Sequence, residues 1–188
     1  MIRQRIEESI NSKKDFLEEA ENISKAADAI VKSLKNGGKV LVFGNGGSAA
    51  DSQHIAGELV AKFLIERKGL AAIALTTDTS ILTAWSNDYP EGFENVFSRQ
   101  IEALAHAGDI LIGISTSGNS ENVIRGLKKG HEIGTVNITL TGKDGGKIKI
   151  LSDINVNSNS FSTPRIQECH MVAYHIICEL VEAEMAKN

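Results

Sequence analysis

Apolar positions recur with a helical period through residues 2–35, at Ile6, Ile10, Phe16, Leu17, Ala20, Ile23, Ile30, Val31 and Leu34, with charged residues filling the gaps. No Gly or Pro interrupts the stretch until Gly37-Gly38, which predicts one long or two consecutive amphipathic helices. From residue 39 the pattern changes to short apolar runs that alternate with amphipathic stretches. Strands are predicted over 39–43, 70–75, 109–115, 135–141 and 153–156. Between them fall a helix over 48–65, a helical region broken by a loop over 79–106, a helix over 120–132 and a short helix or turn over 144–151. A last helix opens at Thr163-Pro164, an N-cap followed by proline at the first helical position, and runs near the end.

Strand–helix alternation with apolar strands implies an α/β fold: a parallel five-stranded sheet flanked by helices, a flavodoxin-like three-layer sandwich with an N-terminal helical extension. One domain over 1–188 is expected, since no repeat, low-complexity tract or linker divides the chain. In such sheets ligands bind beyond the carboxyl ends of the strands, at a switch point.

Two glycine- and hydroxyl-rich turns fall at such ends. Gly44-Asn45-Gly46-Gly47-Ser48 follows Val40-Leu41-Val42-Phe43, and Ser115-Thr116-Ser117-Gly118-Asn119-Ser120 follows Ile110-Leu111-Ile112-Gly113-Ile114. Each opens a helix, where backbone N–H groups and hydroxyls stabilise an anion. A phosphate together with many hydroxyls, hence a sugar phosphate, is the ligand they suggest; a tight turn with no ligand is the alternative. The first turn also fits a dinucleotide fingerprint, Gly44-x-Gly46-x-x-Ala49. That fingerprint needs an acidic residue roughly 20 positions on, whereas the second strand ends near Thr76-Thr77-Asp78. No Gly-Lys-Ser/Thr follows either, so a P-loop is excluded.

Composition narrows the partners. The chain has 20 Lys and Arg against 24 Asp and Glu, a net charge of −4, which argues against nucleic acid. No apolar run approaches a membrane span, and the N-terminus lacks a signal-peptide core, so a cytoplasmic location without membrane partners is expected. Cys169 and Cys178, nine residues apart in one helical stretch, are poorly spaced to bridge each other and fit reduced thiols.

His54 and Glu58 lie four apart on the helix leaving the first turn and so share a face. Such a pair can bind a divalent metal, exchange protons with a substrate, or form a surface hydrogen bond. The last helix carries Gln167, Glu168, His170 and His175. Gln167 and His175 differ by about 80° around that helix and about 12 Å along it; by this spacing a core histidine explains His175 better than a ligand does. Asn87-Asp88 can hydrogen-bond sugar hydroxyls or begin a turn. His106 and His131 read as surface residues, Trp85 and Tyr174 as packing.

At these residues the chain resembles the phosphoheptose (sedoheptulose 7-phosphate) isomerases of the sugar isomerase (SIS) fold. The resemblance rests on Gly44–Ser48, His54-x-x-x-Glu58, Ser86-Asn87-Asp88, Gly113–Ser120, Leu140-Thr141-Gly142-Lys143-Asp144-Gly145-Gly146 and Arg165-Ile166-Gln167-Glu168-x-His170, in order along nearly the whole chain. It implies conversion of D-sedoheptulose 7-phosphate to D-glycero-D-manno-heptose 7-phosphate through an enediol or enediolate, in heptose precursor biosynthesis. By the same resemblance Asn45, Gly46, Gly47, Asn87 and Asp88 contact substrate, and Ser115, Thr116, Ser117 and Ser120 hold its phosphate. His54, Glu58, Gln167 and His175 ligate one zinc per subunit, Glu58 and Gln167 also touch substrate, and Glu58 and His175 are the acid/base pair. A homotetramer is implied, with the N-terminal helices contributing to its interface. Lys62 stands where relatives often carry Arg. The runner-up is a non-catalytic partner-binding protein of the same fold, like the replication-initiator-associating proteins; that group lacks a histidine where His175 stands.

Overall fold

A computed structural model describes residues 1–187. Five parallel strands, β1 (Val40–Gly44), β2 (Ala72–Ala74), β3 (Ile110–Ser115), β4 (Val136–Gly142) and β5 (Ile154–Ser158), form one sheet in the order β2-β1-β3-β4-β5. The order reverses between β1 and β3, which makes their carboxyl ends the switch point of a flavodoxin-like sheet.

Seven α-helices surround the sheet among the described residues: α1 (Ile2–Asp15), α2 (Ala20–Lys35), α3 (Gly47–Val60), α4 (Thr79–Asp88), α5 (Gly92–Leu104), α6 (Glu121–Ile133) and α7 (Thr163–Met185). Alternation along the strands divides the core. Val40, Val42, Ile110, Ile112 and Ile114 pack on one face with side chains of α2, α3 and α7. Leu41, Phe43 and Leu111 pack on the other with α5 and α6. Central strands buried on both faces are what a near-continuous apolar run specifies.

The α/β sandwich with its N-terminal helices is as expected, and the differences are local. The 2–35 stretch is two helices joined by a single 3-10 turn at Phe16–Glu19. The helix expected over 48–65 stops at Val60, because Phe63, Leu64 and Ile65 donate their backbone N–H groups to the Glu182 carboxylate at 2.8, 2.5 and 2.8 Å instead of to a helical ladder. Beside them Arg67, its side chain 4% exposed, lies 3.2 Å from Glu182 and donates to the carbonyls of Glu58 and Leu59. A cation is thereby fixed on the orphan carbonyls at the end of α3. The strand expected over 70–75 is trimmed to Ala72–Ala74 on the sheet edge, and the last strand reaches Ser158.

Both cysteines are buried on α7 and unpaired. His170 is fully buried as well: burial pushes its imidazole down to about 4, and its Nε2 bonds the Thr141 carbonyl at 2.8 Å.

Candidate active site

The two signature turns leave β1 and β3, neighbouring strands in register along their whole lengths. They are tied to each other by a pair of reciprocal amide hydrogen bonds. Asn45 Nδ2 donates to Asn122 Oδ1 at 2.8 Å, and Asn122 Nδ2 donates to Asn45 Oδ1 at 2.9 Å. Asn122 is buried, so the pair satisfies groups that would otherwise be costly to hide from water.

In the second turn three hydroxyls converge before α6. Ser115 Oγ lies 3.0 Å from Ser120 Oγ and 3.4 Å from Ser117 Oγ. Ser120 is the N-cap of α6 but makes no side-chain cap bond, leaving hydroxyls and helix-end N–H groups available to an anion. The turn is shaped by Gly118 at φ +65°, where a side chain would strike the carbonyl of Gly145. Ile148 N donates to Gly118 O at 3.0 Å, so the 145–148 segment braces the turn. Thr116 lies in the same turn, half-buried.

The first turn opens α3 through Gly46 at φ +55°. Gly47 lies directly against the Gln167 amide from α7, which would have to shift to admit a Cβ there. Between this turn and α4–α5 is a cavity of about 250 Å³, lined by Asn45, Gly46 and Ser86 on its polar side. Asn87 and Asp88 form the last turn of α4, exposed, with Asn87 Nδ2 donating to Asp88 Oδ1 at 3.1 Å.

Along α3 the four-residue spacing puts His54 Nε2 2.9 Å from Glu58 Oε1. His175, on α7 and 121 positions after His54, brings its own Nε2 to 3.5 Å from the same nitrogen. Ligand atoms of all three lie within 4.8 Å of one another, a group able to hold a metal ion. Two imidazole nitrogens with a carboxylate oxygen are a donor set suited to zinc, and three protein ligands with an open position are typical of a catalytic site. Gln167, two turns earlier on α7, is placed by its contact with Gly47 rather than by any bond to these three side chains.

Sequence reasoning missed two residues here. Tyr174 packs in the core as expected, but its hydroxyl lies 3.1 Å from His54 Nδ1 and donates to Asp51 Oδ1 at 3.4 Å. Burial, with the Asp51 carboxylate beside it, pushes the phenol above its ordinary value, and burial likewise raises Asp51. The available signal was that a buried Tyr seeks a partner for its hydroxyl. Phe63, in the segment fastened by Glu182, lies against the His175 ring at 5.7 Å between centroids. Trp85 stacks on Tyr89, and His106 and His131 are exposed, as expected.

The SIS domain profile matches residues 6–142. The phosphoheptose isomerase of Aquifex aeolicus is 56% identical over 182 residues, 96% of this chain and 94% of that protein. The solved phosphoheptose isomerase GmhA of Neisseria gonorrhoeae matches with a TM-score of 0.90 and 45% identity, covering 97% of this chain and 100% of that one. The phosphoheptose isomerase structure from Francisella tularensis gives a TM-score of 0.92 at 38% identity, over 97% and 96%. Fold, turns and full-length similarity agree: the chain belongs to the phosphoheptose isomerases of the SIS-domain family.

Proposed function

We propose that this protein, as an aldose–ketose isomerase, converts D-sedoheptulose 7-phosphate to D-glycero-D-manno-heptose 7-phosphate using Glu58 and His175 as the proton-transfer pair. The observation that carries the reading is the convergence of His54, Glu58 and His175 from two helices, one of which, α3, opens at the first glycine-rich turn. Isomerisation moves a proton between adjacent carbons through an enediol or enediolate, so one group must take the proton from carbon while another serves the oxygens. One Glu58 oxygen faces His54, leaving the other for the proton.

The hydroxyls of Ser115, Thr116, Ser117 and Ser120, with the start of α6, hold the phosphate. Asn45, Gly46, Gly47, Asn87 and Asp88, together with Glu58 and Gln167, orient the sugar hydroxyls. His54, Glu58, Gln167 and His175 would hold one zinc ion per subunit. When bound, that ion supplies Lewis-acid stabilisation of negative charge on the substrate oxygens. We assign the reaction to the cytoplasm; no described helix is long and apolar enough to cross a membrane.

Incubation with sedoheptulose 7-phosphate, followed by NMR, is expected to show the aldose phosphate growing in. Absence of that signal from folded, zinc-loaded protein would leave a sugar-phosphate-binding protein without turnover.

The N-terminal helices suit an interface. None of the residues of α1 is buried, and Ile2, Ile6 and Ile10 on it are 76%, 56% and 48% exposed. Isoleucines at helical spacing on an uncovered face call for a partner surface. A homotetramer is the expected assembly, and light scattering at micromolar concentration should report four times the chain mass. A monomer at that concentration would refute it.

A further inference from the structure

We infer that Tyr174 is a positioning residue for the metal site: its hydroxyl, held by Asp51, fixes the ring of His54 so that Nε2 is presented to Glu58 and His175. The inference rests on the metal site proposed above. A phenol has one proton to donate. Two groups lie within its reach: Asp51 Oδ1, which only accepts, at 3.4 Å, and His54 Nδ1 at 3.1 Å. A cation on Nε2 leaves the hydrogen of His54 on Nδ1, which then donates to the phenol oxygen and directs the phenol's proton to Asp51. Metal-bound histidines commonly give their second nitrogen to a carboxylate or carbonyl, which sets ring orientation and tautomer. In this chain a tyrosine stands between the histidine and the carboxylate.

Two further observations favour this role over simple packing. Tyr174 immediately precedes His175 on α7, while Asp51 lies one turn before His54 on α3, so a single hydroxyl ties together both helices that carry ligands. The Tyr174 ring meets both imidazoles edge-on, at 5.2 and 4.9 Å between centroids. Asp51 also has a buried oxygen, Oδ2, without a hydrogen-bond partner. A carboxylate buried with an oxygen unpaired is costly, and its one side-chain bond here is to Tyr174.

The test is zinc affinity, read by competition with a chromophoric chelator on the purified full-length protein. Tyr174→Phe keeps the ring and its packing, and is expected to weaken zinc binding about 10–100-fold. Asp51→Ala should produce a comparable loss, and the double variant should be little worse than Tyr174→Phe alone, because the carboxylate acts through the phenol. Nitrogen-15 NMR of the zinc-loaded native protein should show a protected His54 Nδ1 proton that is lost in Tyr174→Phe. If the native chain binds zinc and Tyr174→Phe binds it within twofold, the positioning role is wrong while the metal site stands. Additive losses in the double variant would likewise overturn the Asp51–Tyr174 coupling. If the native chain binds no zinc, the metal site fails and this inference with it.

Discussion

Glu58→Gln is expected to lower the isomerisation rate by about 10²–10⁴-fold while the protein stays folded. The amide has nearly the shape of the carboxylate, and its carbonyl can occupy the place of Oε1 opposite His54. It cannot take a proton from carbon at neutral pH. Glu58 sits near the end of α3, its side chain 22% exposed, so the exchange leaves no buried charge stranded. The loss should fall on kcat more than on KM, since the proposed phosphate site is the separate Ser115–Ser120 turn. Rates measured by NMR, alongside circular dichroism, decide the matter; near-native turnover in a folded variant would remove Glu58 from the chemistry.

The largest effect on stability is expected at Glu182. Its carboxylate is 1% exposed and accepts three successive backbone N–H groups while facing buried Arg67. Removing the charge in Glu182→Gln turns an amide N–H₂ toward N–H donors and strands the guanidinium, at a cost of about 3–5 kcal/mol. Burial alone would raise this carboxyl; the N–H donors and Arg67 outweigh it and hold the group below its ordinary 4.5. The sign follows from that depression. The unfolded chain binds the proton first, so the contribution is complete above pH 4.5 and disappears as pH falls through the lowered native value. Urea midpoints measured from pH 7 to pH 3 should therefore fall less steeply in Glu182→Gln than in the native chain. An unchanged midpoint at pH 7 would show that the clamp contributes nothing.

Sequence patterning reveals most where a residue's environment is set locally. β1 and β3 are buried on both faces, so their apolar runs identify them without help from the rest of the chain. His54 and Glu58 meet because they are one helical turn apart. The end of α3 is different: no Gly or Pro marks Val60, and the stop is imposed by a carboxylate from α7, 117 to 119 residues away. His175 and Tyr174 pose the same difficulty. Each gains its role only when α7 docks on α3; the one sign, that a buried Tyr hydroxyl seeks a partner, does not say which partner. The resemblance implies the role of His175, although its last motif ends at His170. Tyr174 lay outside those motifs and was read as packing alone.

The matched SIS profile closes at residue 142, before α7 begins at Thr163. A fragment of residues 6–142 would retain both glycine-rich turns with His54 and Glu58, yet lack His175 on α7. Membership of the wider family can thus be read without α7, whereas the proposed proton-transfer pair takes one member from each stretch. Under the proposed assignment, drift in the closing helix removes one of the two proton-transfer groups and leaves both turns standing, a route from catalyst to sensor.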